Sequence, residues 1–154
     1  MLFRSIENAV ASQATIIDGA NFVGLNKYAT YVDAGGGAIL NSGSSAELGN
    51  INANFIGNYV STNESFTNAF GGAIYNDSGT LGNITGNFIG NYAAVILDEF
   101  SDYTEVYGGA IYNYSGTIDN ISGDFIGNYV FSPTAASGGA ISNGYGLMKL
   151  GHNF

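Results

Sequence analysis

The chain has 154 residues, of which 45% are hydrophobic and only 10% charged, with 24 glycines, one proline and no cysteine. Twelve acidic residues against three scattered basic ones, Arg4, Lys27 and Lys149, give a net charge of −9. That balance leaves no basic footprint for nucleic acid. The absence of cysteine excludes a disulfide framework and a thiolate metal site. No apolar run reaches the roughly 18 residues of a membrane helix, so direct membrane insertion is not expected.

Proline plus glycine falls short of the roughly 25–30% that marks a low-complexity disordered chain, so the composition points to a folded, loop-rich, non-helical protein. The opening residues MLFRSIENAV carry no apolar core or small-residue cleavage site of a signal peptide. If the protein is exported, the expectation is that this chain is a fragment or uses another signal.

In chain order, the first element is Ile6-Glu7-Asn8, a worn copy of a segment that returns as Ile39-Leu40-Asn41, Ile74-Tyr75-Asn76, Ile111-Tyr112-Asn113 and Ile141-Ser142-Asn143. Its Ile positions are separated by 33, 35, 37 and 30 residues. A second recurring segment is centred on Phe22, Phe55, Phe88 and Phe125, at separations of 33, 33 and 37. Repetition at this period marks one supersecondary unit stacked on itself. The units read as residues 1–35 (a degenerate first coil), 36–70, 71–107, 108–137 and a partial 138–154, together one domain spanning 1–154.

Within the unit beginning at Gly71, three short strands are predicted: around Ala73 to Tyr75, Leu81 to Thr85 and Asn87 to Ile89. The Asn, Gly, Asp and Ser between them supply turns and leave no room for crossover helices. The architecture that follows is all-β: a single-stranded solenoid of about four to five coils, each strand pairing in parallel with its equivalents above and below.

Repeat positions then become columns. The Phe column, the Ile column and a third of Leu48, Leu81 and Ile118, with Thr15 in the worn copy, are expected to fill the interior. Gly24, Gly57, Gly90 and Gly127 follow each Phe by two, required either by an unusual φ or by crowding. The asparagines after them (Asn58, Asn91, Asn128) and those of the Ile segment are expected at corners, hydrogen-bonding from coil to coil as amide ladders do.

Length varies at one corner, between the Phe strand and the next Gly-Gly-Ala-Ile. Insertions gathered there mark one face, often the one that meets partners. The longest carries a candidate acidic loop of Asp98, Glu99, Asp102 and Glu105, but not the spacing of a calcium loop; solvated negative surface is the plainer reading. Residues 144–154 depart from the repeat and read as a cap or a tail.

The motifs Gly36-Gly37-Ala38-Ile39, Gly71 to Ile74, Gly108 to Ile111 and Gly138 to Ile141 alternate with Phe55-Ile56-Gly57-Asn58, Phe88 to Asn91 and Phe125 to Asn128. This GGAI and FxxN alternation resembles the polymorphic outer-membrane proteins and related bacterial autotransporter passengers over nearly the whole chain. Phe22-Val23-Gly24-Leu25 departs from it. The resemblance implies a right-handed parallel β-helix at the extracellular or outer-membrane surface of a bacterium, commonly serving adhesion, with no cofactor.

Catalytic chemistry has few candidates. His152 is the sole histidine and lies in the tail, and no catalytic residue or metal ligand is assigned. The enzymatic alternative is a carbohydrate-binding or polysaccharide-cleaving β-helix, for which Asp119 and Asp124 are the nearest acids. Asp124, however, stands where other copies have Asn54 and Asn87.

The residues after each Phe are Val23, Ile56, Ile89 and Ile126; strict alternation sends them outward if the Phe points in. Leu40, Tyr75 and Tyr112 repeat the pattern beside the inward Ile. Either the corner insertions cover this candidate contact stripe, or it faces a partner: a host-surface protein, sugar rings on the tyrosines, or another copy, which the coil ends could also recruit.

Overall fold

Alternation of a buried apolar residue with an outward one, broken every few residues by Gly or Asn, yields strands too short to stand alone and stable only when stacked. In the computed structural model, which describes residues 6–8, 17–29, 33–64, 66–97 and 103–151, these strands form four parallel sheets. The molecule is a β-solenoid of about four turns.

The first sheet stacks Ile6–Asn8, Ile39–Ser42, Ile74–Asp77, Ile111–Asn113 and Ile141–Asn143 in that order. Register is kept throughout, Ile over Ile and Asn over Asn. The second sheet stacks Ile17–Val23, Ile51–Ile56, Thr80–Thr85 with Phe88–Ile89, and Thr117–Ser122 with Phe125–Ile126. Leu147–Leu150 pairs in parallel with Thr117–Ser122 and extends this sheet by one strand.

The coil holds more strands than the three expected. Asn26–Ala29, Tyr59–Thr62, Tyr92–Val95 and Tyr129–Phe131 form a third sheet. Ala34–Gly35, Ala69–Phe70, Glu105–Tyr107 and Ala135–Ser137 form a fourth. The variable corner is therefore a lobe of two short sheets that closes on itself. Its strands escape the sequence reading because their inward residues are mostly Ala and Val, without the large apolar repeat that marks the other two sheets.

Two cores result. The main one joins Ile39, Ile74 and Ile111 of the first sheet to Leu48, Leu81, Ile118 and the Phe column of the second. The smaller one packs Val60, Ala93 and Val95 of the third sheet against Ala34, Ala69 and Val106 of the fourth.

Phe22, Phe55, Phe88 and Phe125 stack face on face, with centroids 4.9, 4.7 and 4.6 Å apart and planes within 7° of parallel. That spacing is the strand-to-strand distance of a sheet, about 4.8 Å, so the backbone ladder dictates the ring stack.

The asparagines run as two internal ladders. Asn41, Asn76 and Asn113 each donate Nδ2–H to the Oδ1 of the next coil's Asn, at 2.8 Å. Asn58 and Asn91 do the same to Asn91 and Asn128 at 2.9 Å, and also donate to the carbonyls of Phe22 and Phe55. All five donors are fully buried, so the ladders satisfy corner backbone groups that water cannot reach.

Gly24, Gly57, Gly90 and Gly127 have φ of 60–62° with open space where a side chain would project, which decides for backbone conformation and against crowding. The departure at Leu25 leaves the first corner intact: Gly24 keeps its φ of 61°, and the Leu25 amide donates to Asn58 Oδ1 at 3.0 Å.

Candidate functional site

The expected contact stripe divides into two surfaces with opposite fates. Val23, Ile56, Ile89 and Ile126 stand in register on the second sheet. Val23, Ile56 and Ile126 are 47%, 37% and 56% exposed, while Ile89 between them is half-buried. Just past the glycine corner, Tyr59, Tyr92 and Tyr129 form a second outward column, stacked at 4.8 and 4.9 Å.

The Leu40, Tyr75 and Tyr112 column is covered instead. Leu40 and Tyr75 are half-buried and Tyr112 is buried, because the fourth sheet lays Phe70 and Tyr107 beside them. Leu40, Tyr75 and Tyr112 therefore do not share the exposure of Val23, Ile56 and Ile126.

At this junction the first and fourth sheets make an aromatic groove. Tyr75 and Tyr112 stack at 5.4 Å, Phe70 lies 5.3 Å from both, and Tyr107 lies 5.2 Å from Tyr112. At Gly35 a side chain would strike the Tyr75 ring.

Three cavities follow the groove. One of about 260 Å³ is lined by residues including Lys27, Asp33, Phe70, Tyr75 and Asp77. One of about 250 Å³ lies among Phe70, Tyr75, Glu105, Tyr107, Tyr112 and Tyr114. The third, of about 550 Å³, lies where Tyr107, Tyr112, Tyr114 and Tyr145 meet Glu105.

Burial, with the neighbouring tyrosines and Glu105, pushes the Tyr112 phenol up to about 12. Burial, then the charge of Asp77, drives Tyr75 up as well, and burial followed by Glu105 raises Tyr107. The groove therefore holds neutral phenols in a negative field.

Of the candidate acidic loop, Asp98, Glu99 and Asp102 lie outside the described residues, as does His152. Glu105 belongs to a strand, not a loop; its amide donates to Asn68 Oδ1 at 2.8 Å, and its Oε1 accepts the Tyr103 hydroxyl at 2.7 Å. Asp119 and Asp124 are exposed. The Asp124 amide donates to Asn87 Oδ1 at 3.3 Å, placing it atop an outer asparagine column with Asn21, Asn54 and Asn87. Among the described residues no three His, Cys, Asp or Glu side chains gather as metal ligands.

Sequence reasoning missed Phe70, Tyr107, Tyr114, Tyr145 and the Tyr59 column. The signal for some was present: Phe70 and Tyr107 each immediately precede Gly-Gly, and Tyr59, Tyr92 and Tyr129 each close a Phe-Ile-Gly-Asn segment. Comparison of the chain with models of protein families, with curated proteins and with solved structures finds no match in any of the three.

Proposed function

We propose that this chain is a non-enzymatic β-helix segment displayed at a bacterial surface, where it serves adhesion on a rigid structural scaffold. The observation that carries the reading is the outward column of Val23, Ile56, Ile89 and Ile126, which stands in register from coil to coil with three of its four side chains exposed. A soluble protein gains nothing from a row of exposed aliphatic side chains, and such a row beside the Tyr59, Tyr92 and Tyr129 column suits a flat host-surface protein. The GGAI and FxxN alternation, with its likeness to autotransporter passengers, supports the location.

The test is adhesion of beads bearing the purified chain to cultured host cells. Replacing Ile56, Ile89 and Ile126 together by Ser is expected to abolish most adhesion while leaving the circular-dichroism melt in place. Undiminished adhesion by that variant removes the stripe from the reading.

A carbohydrate-binding or polysaccharide-cleaving β-helix is the second reading, supported by the tyrosine-lined cavities. Its weakness is geometric: in the outward column Tyr92 lies face to face between Tyr59 and Tyr129, so only the outermost faces of that column are left for sugars. Signals on a glycan array, or reducing sugar released from acidic polysaccharides, would favour it over adhesion to protein.

A further inference from the structure

The aromatic groove is not uniform along the stack. On the first sheet the outward position runs Leu40, Tyr75, Tyr112, Ser142, and on the fourth it runs Gly35, Phe70, Tyr107, Ser137. Aromatic rings therefore accumulate toward the third full coil and stop together. Above both Tyr107 and Tyr112 the next coil supplies a serine where a ring would continue the stack.

The space this leaves is the cavity of about 550 Å³. Tyr114 and Tyr145 wall it, set edge to face with centroids 5.6 Å apart and planes at 82°. Tyr114 stands where the preceding coils carry Ser42 and Asp77, and Tyr145 where they carry Gly43, Ser78 and Ser115, so neither ring belongs to the repeat. Glu105 supplies the cavity's carboxylate, and none of the residues lining it is basic.

We infer that this cavity binds a methylated ammonium group, held over the faces of Tyr107, Tyr112 and Tyr145 with Glu105 as its counter-charge. A cation over tyrosine faces is attracted by the ring quadrupole, and the attraction grows as the site is desolvated. Burial is the main reason Tyr107 and Tyr112 stay neutral; the Glu105 carboxylate, which adds to that shift in both, is the charge that favours a cation beside them.

Methylation is favoured because two of the cavity's acceptor groups are already engaged. Glu105 Oε1 accepts from Tyr103, and Asn143 accepts from Asn113 while donating to the Gly146 carbonyl. A primary ammonium brings three N–H donors that need acceptors, whereas a trimethylated one brings none. The site is independent of the aliphatic column, which lies on the second sheet.

The experiment is a calorimetric titration of the whole chain with choline and, in parallel, with its uncharged tert-butyl isostere. Choline is expected to saturate the site, with the isostere roughly tenfold weaker or worse. Glu105→Gln and Tyr145→Ala are each expected to weaken choline by about fivefold to tenfold. Tyr145 is 83% exposed, so its removal leaves the fold in place, which a circular-dichroism melt checks.

A trimethyllysine peptide and phosphatidylcholine vesicles, titrated next, tell whether the group comes from a protein tail or a lipid headgroup. Equal binding of the isostere, unchanged choline binding by both variants, or saturation by a neutral oligosaccharide in place of choline would each overturn the assignment.

Discussion

Phe88 lies at the middle of the stacked column, with no exposed surface and rings on both sides at 4.7 and 4.6 Å. Phe88→Ala removes a filled layer of the main core between two coils that cannot close up, because their spacing is set by backbone hydrogen bonds. The expected cost is ~3–5 kcal/mol by denaturant melt, and a loss below ~1 kcal/mol would reject it as a core residue. Two glycines offer a sharper contrast. Gly90, with φ of 62° and open space around it, is expected to lose only about 1–2 kcal/mol on change to Ala. At Gly72 a methyl group would run into the carbonyl oxygens of Gly109 and Tyr92, so Gly72→Ala is expected to abolish the cooperative melt. Similar melts for the two variants would contradict these separate roles.

At the scale of elements, the junction of the first and fourth sheets depends on phenols that remain protonated. Tyr112 is held at about 12 and Tyr75 is raised further above its ordinary value of 10.0. Because the folded state binds these protons more tightly than the unfolded chain, their contribution is complete below pH about 10 and is lost as pH rises through about 12. The melting temperature is expected to fall across that window, and Tyr112→Phe to fall less steeply. A flat profile would show that the groove tolerates ionised phenols. The third and fourth sheets were the elements least legible in advance. Val60, Ala93, Val95 and Val106 are small, so their periodicity is faint, and each acquires an inside only when the opposing strand of the lobe is in place.

For the molecule as a whole, each sheet ends, among the described residues, in a strand paired on one side only. At one end these include Tyr129–Phe131, Ile141–Asn143 and Leu147–Leu150, with Leu147 at 73% and Leu150 at 56% exposure. The two ends present different coils of the same columns, so an association through them is head to tail and need not close. Sedimentation velocity is expected to show mass rising with concentration, and Leu147→Lys with Leu150→Lys to suppress it. A concentration-independent monomer would show that the end layers do not pair. The repeat itself determined the stacked parallel architecture, the Phe and Ile columns and the amide ladders, because each rests on register between equivalent positions, and register is written in the spacing of Ile39, Ile74 and Ile111 or Phe55, Phe88 and Phe125. Only the tertiary structure decided which outward residues stay outside. Ile56 and Tyr75 occupy the same kind of position beside an inward side chain. One meets solvent and the other meets Phe70, because the folding of the corner lobe onto the first sheet is a contact between surfaces that no spacing along the chain encodes.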